Sequence, residues 1–128
     1  MNCIYVLMTV IALLPLAQAD TNNSVCAGAT TQREINECAA RAFEGADKDL
    51  NQLYRETSSK LSGKTKEKLR KAQRAWLRYR DSTCEAEVAL LEGGSMAPAA
   101  RGFCLDRVTR SRTDEILKTY KIGRWNTE

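Results

Sequence analysis

Three observations predict an all-α fold: an up-down-up three-helix bundle of long antiparallel helices carrying two disulfides. Apolar residues recur at steps of three and four along three stretches of the chain. Glycine-bearing turns separate those stretches, at Ser62-Gly63 and at Gly93-Gly94-Ser95. Pro98 stands just after the second turn, where it suits the first turn of a helix. The 128 residues are enough for one domain, and 43% apolar with 28% charged residues argues against general disorder.

The amino-terminal segment reads as a targeting signal. Ile4 to Leu16 is one apolar run broken only by Thr9 and Pro15, and Ala17-Gln18-Ala19 supplies small residues for a signal peptidase. The run is short for a bilayer span and polar Asp20-Thr21-Asn22-Asn23 follows it, so residues 1–19 are expected to be cleaved. Asn23-Ser24-Val25 before Cys26 does not match a lipoprotein site, so no lipid anchor is predicted. The expected destination is the periplasm or the exterior. A helical domain over 20–122 and a frayed tail over 123–128 complete the expected organisation.

The first helix starts at Thr31-Gln32-Arg33-Glu34, which has the form of a capping box. Ile35, Ala39, Ala42, Phe43, Ala46, Leu50, Leu53, Tyr54 and Leu61 then mark one face. The second helix carries Leu69, Ala72, Trp76, Tyr79, Cys84, Val88 and Leu91, and the third Phe103, Leu105, Val108, Ile116, Leu117 and Tyr120. Short connections make sequential helices antiparallel neighbours. Folding the chain about each turn pairs positions that sum to about 126 around Gly63 and about 189 around Gly94.

Loss of the signal removes Cys3 and leaves Cys26, Cys38, Cys84 and Cys104. An even number in an oxidising compartment reads as two disulfides. The second register brings Cys84 opposite Cys104, and elimination then pairs Cys26 with Cys38. The other two connectivities stay open, because Cys26 lies on an arm whose path the sequence does not define. Each bridge would stabilise by about 2–4 kcal/mol.

With no histidine, Ser-His-Asp triads, Cys-His pairs and histidine-ligated metals are excluded. The cysteines lack paired C-x-x-C spacing, so no metal or cofactor is predicted. No activated nucleophile is evident, and an enzyme is not predicted.

Polar residues nonetheless occupy helix faces that should be apolar. Leu69, Gln73, Trp76, Arg80 and Cys84 share one face of the second helix, and Asp47 and Asn51 sit among Phe43, Leu50 and Tyr54. The two registers bring Arg80 opposite both Asp47 and Thr109, with Arg112 one turn further on. Asp47, Asn51, Gln73, Arg80, Thr109 and Arg112 are therefore expected to form one interhelical polar network. Its predicted role is to fix register, and loss of Arg80 would strand a buried Asp47.

Charge is uneven. From Lys60 to Arg80 nine basic residues stand against Glu67, within a chain of net charge +4. Such a tip suits anionic lipid head groups, acidic glycans or an envelope protein; without interleaved stacking aromatics it does not suit nucleic acid. The loop Gly93, Gly94, Ser95 and Met96 is a candidate recognition element, since glycines permit close backbone approach and methionine offers adaptable apolar contact.

Thr31 to Cys38, Ala46 to Asn51 with Tyr54, and Ala72-Gln73-Arg74-Ala75-Trp76-Leu77-Arg78-Tyr79-Arg80-Asp81 with Cys84 carry a resemblance. Gly93-Gly94-Ser95, Pro98, Cys104, Thr109 and Arg112 extend it over nearly the whole expected mature chain. The chain resembles the LprI-type lysozyme inhibitors, small exported bacterial proteins. The resemblance implies a disulfide-bonded helical domain and, as partner, a lysozyme that it binds and inhibits. The alternative is an envelope adaptor acting through the basic tip.

Overall fold

The computed structural model describes residues 26–122; the expected signal peptide and the tail from Gly123 lie outside the described residues. Three helices make the fold: α1 (Gln32–Ser59), α2 (Gly63–Val88) and α3 (Ala97–Ile122), with a 3-10 turn at Ala89–Leu91. They run up, down and up, with no strand among the described residues.

Each helix boundary has a local cause. Thr31 accepts the Glu34 N–H at 3.3 Å, and the Glu34 carboxylate reaches back to the Thr31 N–H at 2.9 Å. That reciprocal pair satisfies donors that a helix start leaves orphaned. The α1–α2 turn passes through Gly63 at φ +51° and the α2–α3 turn through Gly93 at φ +79°. Both angles are left-handed backbone that glycine adopts without strain.

The helices do not pack equally. The parallel pair α1 and α3 is in closest contact, α2 leans on α3, and α1 and α2 keep their backbones apart. Side-chain size explains the difference. Ala39, Ala42, Ala46 and Ala99 are buried, and a Cβ added at Gly102 would stand 2.9 Å from the Ala39 carbonyl carbon. Small residues thus let two backbones touch, whereas Phe43, Trp76 and Arg80 are stacked together between α1 and α2.

Cys84, Cys104, Leu105 and Val108 form a buried cluster, flanked by Phe43 and Trp76. It surrounds a disulfide joining Cys84 to Cys104, Cα atoms 5.6 Å apart. A second disulfide joins Cys26 to Cys38 at 5.9 Å, stapling the amino-terminal arm to α1.

One helix departs from the apolar pattern read in its sequence. On α2 the buried residues are Leu69, Gln73, Arg80 and Cys84. Ala72, Tyr79 and Leu91, expected on the inward face, are exposed. With α3 as its main support, α2 buries only a narrow stripe, and Ala72 and Tyr79 fall to either side of it.

Candidate functional site

The end of the bundle at the α2–α3 connection is both exposed and braced. Leu90 is 92% exposed, Met96 59% and Leu91 40%. Exposed apolar side chains this near one another in sequence make the connection a candidate contact site. The backbone beneath them is held by hydrogen bonds: the Gly94 N–H donates to Leu91 O at 2.9 Å and the Ala97 N–H to Gly94 O at 3.2 Å. A Cβ at Gly94 would lie 3.1 Å from Leu91 O, so the tight turn favours glycine there.

Neighbouring elements lock this loop. Asn36 on α1 donates from Nδ2 to Ser95 O at 3.3 Å. Arg107 on α3 grips both Glu87 oxygens, at 2.6 and 2.9 Å. The Cys84–Cys104 bridge joins the helices that flank the loop, and the Cys26–Cys38 bridge lies on the α1 end from which Asn36 reaches across. A surface held this way loses little conformational freedom when it docks.

Its charge differs from the rest of the chain. Between Asp81 and Ala100 lie Asp81, Glu85, Glu87 and Glu92 and no Lys or Arg. Asp81 is paired with Arg80 and Glu87 with Arg107; Glu85 and Glu92 are exposed. Arg101, on the following turn of α3, is the next cation in the sequence. The opposite end of α2, from Gly63 to Arg78, carries seven bases and Glu67. Sequence reasoning singled out Gly93 to Met96 but missed Leu90 and Leu91, which it placed on no contact surface. A Leu-Leu pair followed by Glu-Gly-Gly was the available signal.

Five of the six polar residues expected in one network fall into two groups joined by a ring, and Thr109 bonds to neither. Arg80 donates from Nη1 to Asp47 at 3.0 Å and from Nε to Asp81 at 2.9 Å, while Asn51 donates to Asp47 at 2.9 Å. Separately, Arg112 donates from Nε to Gln73 at 3.2 Å and pairs with Glu115 at 3.1 Å. Trp76 lies between the groups, its ring centroid 5.3 Å from the Arg80 guanidinium and 6.0 Å from that of Arg112. Phe43 covers Arg80 at 5.2 Å. Thr109 is fully buried and its hydroxyl makes no hydrogen bond. Asp47 keeps 37% of its side chain exposed against 10% for Arg80, so the buried partner is the cation. Sequence reasoning assigned Asp81, Phe43 and Glu115 no part in the expected network.

This assembly is made of ion pairs and stacked rings. Among the described residues no group of cysteines and carboxylates is placed to hold a metal ion. No described helix is long and apolar enough to cross a membrane.

The fold and the braced loop define a class of small, disulfide-stapled helical domains that present a preformed surface. The lysozyme inhibitor LprI family profile matches residues 24–116, and the chain belongs to that family. It is also 35% identical over 113 residues to an uncharacterized protein of Rhizobium meliloti (strain 1021), spanning 78% of this chain and 81% of the relative. No solved structure matches.

Proposed function

We propose that this protein is an exported, non-enzymatic lysozyme inhibitor whose contact surface is the loop end from Leu90 to Met96. The observation that carries the reading is the union, at that end, of exposed Leu90, Leu91 and Met96 with exposed Glu85 and Glu92 on a doubly disulfide-braced frame. Membership of the lysozyme inhibitor LprI family supports lysozyme as the partner.

The chemistry suits that partner. Lysozymes of the animal type are cationic, and opposite fields steer encounter and fix orientation. The chain as a whole is basic, at net +4, so an inhibitor built on it needs a local acidic surface. The loop end provides one. Gly93 and Gly94 let the backbone approach closely, Ser95 offers a hydroxyl, and Met96 and Leu90 provide area to bury. Disulfides belong to oxidising compartments, which fits action in the periplasm or outside the cell, after removal of residues 1–19.

The test is peptidoglycan hydrolysis by lysozymes of several structural types, titrated with oxidised protein and with a Leu90→Asp/Met96→Asp variant. Inhibition of at least one lysozyme at stoichiometric protein is the expected result. Losing two apolar contacts worth about 1.5–3 kcal/mol each weakens the variant by at least about tenfold. Undiminished hydrolysis by every lysozyme overturns the proposal.

A further inference from the structure

The second helix has a surface that the inhibitor reading leaves unused. Lys64, Lys66, Lys68, Arg70, Arg74 and Arg78 are all exposed. Among the described residues none of them takes part in an ion pair, whereas Lys71 on the same helix holds Glu67 at 3.3 Å. Six unpaired cations on one helix is a costly arrangement, since like charges one turn apart repel. Other cations of the chain are paired, Arg33 with Glu37, Arg80 with Asp47 and Asp81, Arg107 with Glu87 and Arg110 with Asp106, and those that are not, such as Arg41, Lys48 and Lys118, do not form such a run on one helix.

Their placement is ordered. Arg70, Arg74 and Arg78 follow one another at four-residue steps, roughly 6 Å apart along the axis, and form a ridge. The buried stripe Leu69, Gln73, Arg80 and Cys84 faces inward, so the ridge lies on the flank and outer side of α2. At its start the surface opens into a cleft of about 240 Å³ lined by Tyr54, Ser58, Gly63, Lys66, Glu67 and Arg70. Arg70 belongs to both features. Lys66 and Arg70 set two cations beside the cleft, and Lys71 offsets the Glu67 charge.

We propose that the outer face of α2 is a docking surface for an anionic phospholipid bilayer. A plane of phosphates fits a convex ridge whose cations spread around the helix. An extended polyanion is held in a groove with cations on both walls, which this ridge lacks. Apart from Leu77 and Tyr79, which flank it, the ridge has no large exposed apolar side chain to insert, so adsorption is electrostatic and peripheral. The loop end lies at the other end of α2 and stays free while the ridge is occupied, so the two surfaces stand or fall separately.

The experiment is vesicle co-sedimentation of the oxidised protein. One set of vesicles is phosphatidylcholine, and the other also contains phosphatidylglycerol at about one lipid in three, a density that gives a strongly negative surface. The protein is expected to sediment only with the anionic set and to be released at about 1 M salt, where screening is complete within about 3 Å. The Arg70→Glu/Arg74→Glu/Arg78→Glu variant weakens binding by more than about a hundredfold, because each cation contributes independently near such a surface. An Arg41→Glu/Lys48→Glu/Lys118→Glu variant, with the same net charge, binds the vesicles within about tenfold of the parent, since its charges lie off the ridge. Absence of binding to the anionic vesicles overturns the proposal, as do equal losses in both variants or binding to a soluble polyanion alone. Should the ridge variant fail to fold by circular dichroism, the single change Arg74→Gln replaces it, with a fivefold or greater loss expected (about 1 kcal/mol per cation).

Discussion

Arg80 shows how a charged residue can be a core residue. Its guanidinium is stacked between Phe43 and Trp76 and reaches two carboxylates, with 10% of the side chain exposed. Cation–ring contact and burial of the stem therefore contribute more than the ion pair with half-exposed Asp47. Arg80→Ala is expected to cost about 2–4 kcal/mol, against about 1 kcal/mol or less for Asp47→Asn, read as thermal melting of both variants. Equal losses would make the ion pair the anchor instead. The spacing of Arg80 with Leu69, Trp76 and Cys84 made its inward position legible in the sequence, and the turn register made Asp47 its partner. The rings around it, and the exposure of Asp47, depend on side-chain directions that register alone does not provide. Thr109 was drawn into the network by the same register, yet its hydroxyl makes no bond there.

Glu34 gives the residue scale its pH dependence. The Thr30 and Thr31 N–H groups, together with the two threonine hydroxyls, hold its carboxyl down from 4.5 to about 2. Because the folded value lies below the unfolded one, the stabilisation is fully present above about 4.5 and is lost as pH falls through about 2. Glu34→Gln should remove that portion of acid sensitivity. Parallel melting curves across the interval check it: a parent and variant that differ equally at all pH values would contradict the assignment.

Among the elements, the closest pair is not the pair that the chain joins. The α1–α3 seam relies on Ala39, Ala42, Ala46, Ala99 and Gly102, residues too small to contribute much apolar area but able to bring backbones together. Gly102→Ala tests this. Helix propensity alone favours alanine by about 1 kcal/mol, but the new methyl would stand 2.9 Å from the backbone of Ala39. The expected net result is a loss of about 1–2 kcal/mol by chemical denaturation, as overpacking outweighs propensity. A stabilised variant would show that the seam has slack. Three helices, their turns and their up-down-up order follow from apolar spacing, the capping box and the glycines, all visible in the sequence. Unequal packing was not visible there. It comes from the sizes of facing side chains, which also leave α2 with one narrow buried stripe and turn Tyr79 and Leu91 outward.

For the whole molecule, the distribution of charge matters more than its sum. A chain at net +4 concentrates its bases on the first two-thirds of α2 and leaves the α2–α3 end with acids and exposed leucines. The disulfides stand at that same end, so stability and presentation of the loop are coupled. Reduction should lower the melting temperature and weaken any partner together, because loop closure by each bridge is worth about 3 kcal/mol. A reduced protein that binds as tightly as the oxidised one would separate the two roles. The loop glycines and Met96 stand out in the sequence as a candidate recognition element; the bracing by Asn36 and Arg107 does not, since it joins residues far apart in the chain.

The most direct measurement is calorimetric titration of the oxidised protein, and of its Leu90→Asp/Met96→Asp variant, into a cationic animal-type lysozyme. One-to-one binding at low-micromolar or better affinity, weakened at least about tenfold in a variant that melts as the parent does, is the predicted result. Binding that the loop substitutions leave unchanged, or no heat of binding from the parent protein, would contradict it.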